Sequence, residues 1–520
     1  MSTQAPSFDL AIVGSGFAGS LLAMVARRLG RSVVLLERGR HPRFQIGESS
    51  TPLANLLLEE LAQRYNLPAL LPLTKWGSWQ QSYPQLACGL KRGFSFYAHT
   101  LDATVDLTDR RRQLLVAASP HDAIADTHWY RQDLDHFLVR QARELGVEVL
   151  EEVTLEAPTW GEQVELQGRH GTKPLKLQAR FLVDATGPRG YLHRALNLPE
   201  LPFPHFPATQ ALYSHFRHVR RLADLAPMPG TPYPADAAAV HHLFPGGWIW
   251  VLHFGNGITS AGVAIVDALA QELNLAAGAP AWHRLLHRLP AVAAQFAGAE
   301  PTRPFVHVPR LPFRSGTLTG DRWALLPSAA GFIDPLLSTG IPLTLLGVHR
   351  LAELFERAGP SLPSPDPLAT YAQHTEQELL TAADLLAALY THLDDFELFA
   401  ALSRLYFAAA SFTETARRLG RPHLAEGFLL PNHPHFGPSL RTCLRQALTP
   451  LTPKARTQLL HQINETIEPI DVAGLTNPTR HGWYPCLASD LLHAAPKLGA
   501  TEVEIRQLLV RSGFNAATEP

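Results

Sequence analysis

The sequence predicts an α/β fold: a parallel-sheet nucleotide-binding domain, interrupted by an antiparallel sheet and followed by a helical domain. Three observations lead there. An apolar strand near the N-terminus runs into a glycine-rich turn and a helix. A middle stretch holds short strands broken by Pro and Gly. After Pro360-Ser361-Leu362-Pro363-Ser364-Pro365 the pattern is helical to the end. The expected boundaries are a split nucleotide domain at 1–200 and 316–360, the inserted sheet at 201–315, and the helical domain at 361–520.

The first element is the most specific. Leu10-Ala11-Ile12-Val13 enters Gly14-Ser15-Gly16-Phe17-Ala18-Gly19, a helical run follows, and Val33–Leu36 ends at Glu37, 23 positions beyond Gly14. Gly14 permits the tight turn, Gly16 lets backbone approach a pyrophosphate, and Gly19 lets helix and strand pack closely. The helix start offers free N–H groups and a positive dipole to phosphate, and Glu37 is placed to accept from a ribose. A lone G-x-G-x-x-G is weak evidence. With its strand, helix, second strand and acid it specifies a dinucleotide site.

Composition narrows the class. A chain of 520 residues, 46% hydrophobic and 18% charged, builds more than one packed unit. A net charge of −1 gives no basis for nucleic-acid binding. Three scattered cysteines, Cys88, Cys443 and Cys486, make neither a disulfide framework nor a zinc spacing. His241-His242 and His253 show no trusted metal spacing either. No apolar run reaches the roughly 18–20 residues of a membrane span, and residues 10–25 lack a preceding Lys or Arg, so a cytoplasmic protein is expected. Six of the 45 basic residues are lysines (75, 91, 173, 176, 454 and 497), so a Lys in a special setting is informative.

Further elements come in chain order. A helix is expected from Glu48 to Tyr65, extended chain from Cys88 to His99, and an amphipathic helix from Arg131 to Leu145. A hairpin is expected to turn at Gly168-Arg169-His170-Gly171, before the buried strand Phe181–Asp184 and its small-residue turn Ala185-Thr186-Gly187. The sheet should contain Ala211–Phe216, Trp248–Phe254 and Ile258–Val266. Trp323–Leu326 returns to a buried strand, and a long apolar helix runs from Ser338 to Arg357.

The N-terminal unit with Asp184-Ala185-Thr186-Gly187 resembles an FAD-binding Rossmann-type domain of the GR2 monooxygenase-like kind. Four further segments make the chain similar to the flavin-dependent halogenases: Gly47-Glu48-Ser49-Ser50, Lys91-Arg92-Gly93-Phe94-Ser95-Phe96, Trp248-Ile249-Trp250, and Ala329-Ala330-Gly331-Phe332-Ile333-Asp334-Pro335-Leu336-Leu337-Ser338-Thr339-Gly340. Order and spacing match over about the first 355 residues, whereas the C-terminal domain carries no diagnostic motif.

The resemblance implies FAD, delivered as FADH2 by a separate flavin reductase, and chloride or bromide converted to hypohalous acid. It implies cofactor contacts from Gly14, Gly16, Gly19, Glu37, Arg38, Glu48, Ser49, Arg131, Asp184, Gly187, Ser328, Asp334, Pro335, Thr339 and Gly340, with halide on the amides of Thr339 and Gly340. Catalytic roles fall to Lys91, Ser338, Trp248 and Trp250. Lys91 would hold the oxidant or become a haloamine, with Lys75 a substitute whose flanks do not match. The Trp pair shares one strand face and would stand between flavin and substrate. Core packing of that pair, or a surface position for Lys91, remain open.

Three departures matter. Val251-Leu252-His253-Phe254 follows the Trp pair where the family has Ile-Pro; Leu337 replaces the acid that positions indole; and Pro327-Ser328 stands where Gly-Asp binds the ribityl chain. The expected activity is therefore halogenation of a small or carrier- or peptide-bound aromatic other than free tryptophan. Hydroxylation of an aromatic or tryptophan side chain, reduction of prenyl chains, and a degenerate flavoprotein scaffold are the alternatives.

Overall fold

The computed structural model describes residues 5–514. Its first sheet has five parallel strands in the order Glu148–Leu150, Val33–Leu36, Ser7–Val13, Lys173–Asp184, Trp323–Leu325. The central ones are continuous apolar runs because both faces are covered. Register aligns their carboxyl ends: Val13 lies opposite both Leu36 and Asp184, and Asp184 lies opposite Leu325. One edge of the sheet thus collects the turn at Gly14, Glu37, Thr186-Gly187 and Ser328, the place where open α/β sheets bind ligands.

Close backbone approach explains the glycines there. Gly14 takes φ +102°, and a Cβ on it would lie 2.6 Å from Ala185 O. Helix Phe17–Arg28 begins immediately after, and a Cβ on Gly19 would fall 1.9 Å from Gly14 O. Gly168 has the same kind of reason and corrects the expected turn. The hairpin strands run Val164–His170 and Lys173–Asp184, so Gly168 lies within a strand. Its Cβ would meet Thr154 O at 2.0 Å, because Val153–Leu155 pairs along its other edge.

The second sheet runs Glu300–Pro301, Thr209–Arg217, Thr259–Val266, Gly247–His253, Ala239–Phe244, Gly93–Ala98, Gln113–Ala117, Trp483–Tyr484. It is not built from 201–315 alone, because residues 93–117 and 483–484 supply three strands. Period-two alternation splits its faces. Trp248, Trp250 and Leu252 join the main core, while Ile249 and Val251 join a second core under helices Ala279–His287 and Pro290–Gln295.

The apolar helix after the second motif starts at Gly340 rather than Ser338 and ends at Ala358. Helices Pro365–Thr391 and Phe396–Arg418 come next. Arg350 binds Glu378 through two bonds of 2.6 and 2.5 Å, fastening the first of these to the Gly340 helix. Among the described residues no helix is long and apolar enough to cross a membrane.

The Gly14–Gly19 contact yields a test. Gly19→Ala places a methyl against backbone that has no rotamer to yield, an overpacking cost of about 1–3 kcal/mol. Thermal unfolding should shift down by several degrees and FAD uptake should fall; unchanged values for both would show that the turn and helix do not approach this closely.

Candidate active site

The cofactor-facing edge is built from Gly16 outward. A Cβ on Gly16 would meet only side chains, Arg131 Nη2 at 3.4 Å and Asp135 at 3.8 Å, so this backbone faces a space bounded by a guanidinium. Arg131 is buried, held by Asp135 at 2.7 and 2.8 Å, and donates to the carbonyls of Ile46 and Gly47 at 3.1 Å. It therefore joins the Gly16 turn to the Gly47-Glu48-Ser49 segment. Glu37 accepts from Ser15 N at 3.1 Å, Ser15 Oγ at 2.9 Å and Gly39 N at 2.8 Å. Burial would raise this carboxyl, but Arg43 at 3.0 Å and those donors hold it below the usual range, so it is ionised and fit to accept from a ribose. A free glycine cradle, an ionised acid at the second strand end and a nearby guanidinium fit a dinucleotide.

Other expected contacts behave differently. Asp184 spends its carboxylate on its own turn, accepting from Thr186 N, Thr186 Oγ1 and Leu192 N at 2.8, 2.6 and 2.6 Å. It shapes the loop at Gly187, which has φ +86° and open space around it. Arg38 is exposed. Glu48 points away from the glycine turn: it is buried and its Oε1 meets His215 Nε2 at 2.9 Å, tying the segment to the second sheet. Ser328 is half-buried in the one-turn helix Pro327–Ala330, just past the strand end beside Asp184.

The Asp334–Gly340 segment is held by one carboxylate. Asp334 Oδ1 accepts from Leu336 N at 2.9 Å and Trp248 Nε1 at 3.1 Å, and Oδ2 accepts from Tyr390 OH at 2.8 Å. Burial pushes this carboxyl up to about 6 against those three donors. Between this anchor and the helix, Leu337 and Ser338 both adopt left-handed φ of +63° and +55°. Thr339 is buried and Gly340, with open space beside it, begins the helix whose first amides lack intrahelical partners. Pro335 caps the short turn, and Leu337 turns fully into the core.

Aromatic rings fill the space between this loop and Lys91. Trp248 lies 5.7 Å from Trp250 and 5.2 Å from His241, and His241 lies 5.9 Å from Phe94. Lys91 is no surface residue: it is fully buried, donates to Ser49 Oγ at 2.9 Å and Ser50 O at 2.5 Å, and sits 3.8 Å from the Phe94 ring centroid. Burial drives its ammonium well below the ordinary lysine range, opposed by Asp126. The Phe94 ring also lines a cavity of about 160 Å³ with Ile124, Tyr406 and Phe407, to whose wall Lys75 and Glu414 bring charge. Tyr390, Tyr406 and Phe407 were invisible to sequence reasoning because they lie on helices with no motif, far along the chain.

The place of Ser328 generates a second test. Ser328→Asp puts a carboxylate on the carboxyl edge of the sheet, where a ribityl hydroxyl can donate to it. The contact is worth about 1.5–3 kcal/mol, about ten- to hundredfold in Kd. Titration with FAD should show tighter binding; no change in a folded variant would place Ser328 outside the site.

Comparison with known proteins identifies the family. The family model for FAD dependent oxidoreductases (DAO) matches residues 9–325. Monodechloroaminopyrrolnitrin halogenase PrnC of Pseudomonas fluorescens is 31% identical over 407 residues, 77% of this chain and 70% of its own length. The tetracycline 7-halogenase of Kitasatospora aureofaciens is 29% identical over 358 residues, 66% of this chain and 62% of its own. The crystal structure of halogenase PltM with phloroglucinol and FAD aligns with a TM-score of 0.82 at 26% identity, covering 91% of this chain and 99% of that one. The chain belongs to the FAD-dependent oxidoreductases and, among them, to the flavin-dependent halogenases.

Proposed function

We propose that the chain, in the cytoplasm, halogenates a single-ring, electron-rich aromatic other than free tryptophan, using FADH2 from a separate flavin reductase, oxygen, and chloride or bromide. The carrying observation is Lys91, buried on one side of Phe94 while the same ring lines the cavity. When bound, reduced FAD would pass two electrons to oxygen, and the oxygen so activated would oxidise halide to electrophilic halogen. Gly14, Gly16, Glu37 and Arg131 would hold its adenosine and pyrophosphate end, and Ser328 its ribityl chain. The amides of Thr339 and Gly340 present a helix start to the halide, aimed by the turn through Ser338.

The remaining residues guide the electrophile to the ring. Trp248, fixed by Asp334, closes the space between loop and cavity, so substrate is kept from the cofactor and oxidant must reach Lys91. Lys91 directs the electrophile because its ammonium is fixed by Ser49 and Ser50. A cavity of about 160 Å³ suits one aromatic ring, since an apolar cavity of about 150 Å³ takes up benzene. With Leu337 buried, this position offers no carboxylate to an indole N–H. Two relatives act on a pyrrole held by a peptidyl-carrier protein, which makes a tethered ring the other form of substrate to assay.

Mass spectrometry of products, with a flavin reductase, candidate aromatics and either halide, tests the reading. Lys91→Ala should keep oxygen-dependent FADH2 consumption yet lower halogenated product by ~100-fold or more. Lys91→Arg should fail equally, because a guanidinium stays protonated. Lys75→Ala should retain product. A wild type that yields only a product heavier by one oxygen, still made by Lys91→Ala, would leave the monooxygenase reading standing.

A further inference from the structure

One face of helix Phe396–Arg418 runs along the cavity: Phe407, Ser411, Glu414 and Arg418, three or four residues apart, all line it. Glu414 Oε1 accepts from Arg418 Nε at 2.8 Å, and the same guanidinium donates to Glu59 Oε2 at 3.2 Å. Glu414 Oε2 takes no hydrogen bond among the described residues, and the side chain is 23% exposed. A carboxylate fixed through one oxygen keeps the other for a ligand.

No other group on the wall competes for this role. Ser411 and Thr415 donate to carbonyls of their own helix, Ala408 O at 3.2 Å and Ser411 O at 2.8 Å. Ser119 Oγ, buried without a partner among the described residues, is a neutral hydroxyl and a weaker acceptor. Burial pushes the Cys486 thiol up to about 12, so it brings no negative charge. Lys75 is a cation, donating to Ser512 O at 3.5 Å. Glu414 is thus the one carboxylate among the described residues of a mostly apolar wall.

We propose that Glu414 is a substrate-positioning residue that accepts a hydrogen bond from an O–H or N–H carried by the ring, so the substrates are aromatics with such a donor. This rests on the halogenase reading. Rings rich enough in electrons to take an electrophile carry oxygen or nitrogen, and a hydrogen on that atom is what a carboxylate recognises. A charged acceptor in apolar surroundings discriminates, because a ring without a donor leaves it unpaired. Geometry also says which way the ring faces. From Phe407, 5.2 Å from the Phe94 ring, to Glu414 is two turns, roughly 10 Å along the helix axis. A ring held by its donor at Glu414 turns its far edge toward Phe94, on which the Lys91 ammonium sits 3.8 Å from the ring centroid. For a phenol the carbon so presented is the para carbon.

Titration calorimetry on the full chain loaded with oxidised FAD, without halide or reductant, tests this with two pairs of probes. They are phenol against anisole and pyrrole against N-methylpyrrole; in each a methyl replaces the donor hydrogen. Wild type should bind the donor of at least one pair about fivefold or more tighter, and the wider gap names the donor. Glu414→Gln keeps an oxygen for Arg418 Nε but no charge for the ring, so the gap should close to about twofold or less. Glu414→Asp should keep part of it. In turnover with phenol, Glu414→Gln should raise KM more than it lowers kcat, and its para-to-ortho product ratio should fall. No gap in the wild type, or an undiminished gap in folded Glu414→Gln, overturns the proposal. The binding arm needs no turnover, so donor selectivity without any halogenated product would end the halogenase reading and leave this role of Glu414 standing.

Discussion

Three parts of the chain meet on the carboxylate of Asp334. Trp248 reaches it from the second sheet, Tyr390 from a C-terminal helix, and the Leu336 amide from the loop that Asp334 begins. Two consecutive left-handed residues, Leu337 and Ser338, cost about 1–3 kcal/mol each. Hydrogen bonds to a charged acceptor contribute about 1.5–3 kcal/mol each, so three of them are enough to hold the strained turn. Without this anchor the turn has no reason to keep its shape, and the start of the Gly340 helix loses its aim. The same bonds orient Trp248, so the loop and the wall separating it from Lys91 are set by one group.

That wall makes the site a pair of compartments with opposite needs. The cofactor edge uses backbone amides and Arg131, suited to an anionic pyrophosphate, and the ionised Glu37, suited to ribose hydroxyls. Around Lys91 the neighbours are Phe94, neutral His241, Tyr406 and Phe407, and most of the surface is apolar. Trp250, Trp248, His241 and Phe94 form a run of neighbouring rings 5.2 to 5.9 Å apart.

How much of this was legible depends on sequence separation. The strand, glycine turn, helix and acid of residues 9–37 are one local unit, and their roles could be argued residue by residue. Lys91 was recognisable because its flanks form a motif and lysine is scarce. Tyr390 and Glu414 were not, because helix packing gives them company far back in the chain, Trp248 142 positions away for the first and the Phe94 wall for the second. The second sheet failed for the same reason, since strands 93–98 and 113–117 carry no sign of which distant strand they will join. Gly168 was misread because a glycine marks a turn and a close backbone crossing equally well in sequence. Pro327, a departure at the ribityl site, has a packing reason instead: a Cβ on Gly347 would strike its ring at 2.3 Å.

The cavity draws its walls from both sides of the point where the family model ends. The family model ends at residue 325, yet Tyr406, Phe407, Glu414 and Phe514 line the cavity. On the proposed function, making the electrophile would fall to the parallel sheet, the loop at 334–340 and the buried lysine. The helices after 365 bring Tyr406, Phe407 and Glu414 to the cavity, and their sequence carries no motif because many apolar surfaces can enclose an aromatic. Such a division would let relatives named for substrates as different as tetracycline and a carrier-bound pyrrole share one oxidant chemistry. The oxidant chemistry constrains one set of residues tightly, and the cavity walls are free to vary around it.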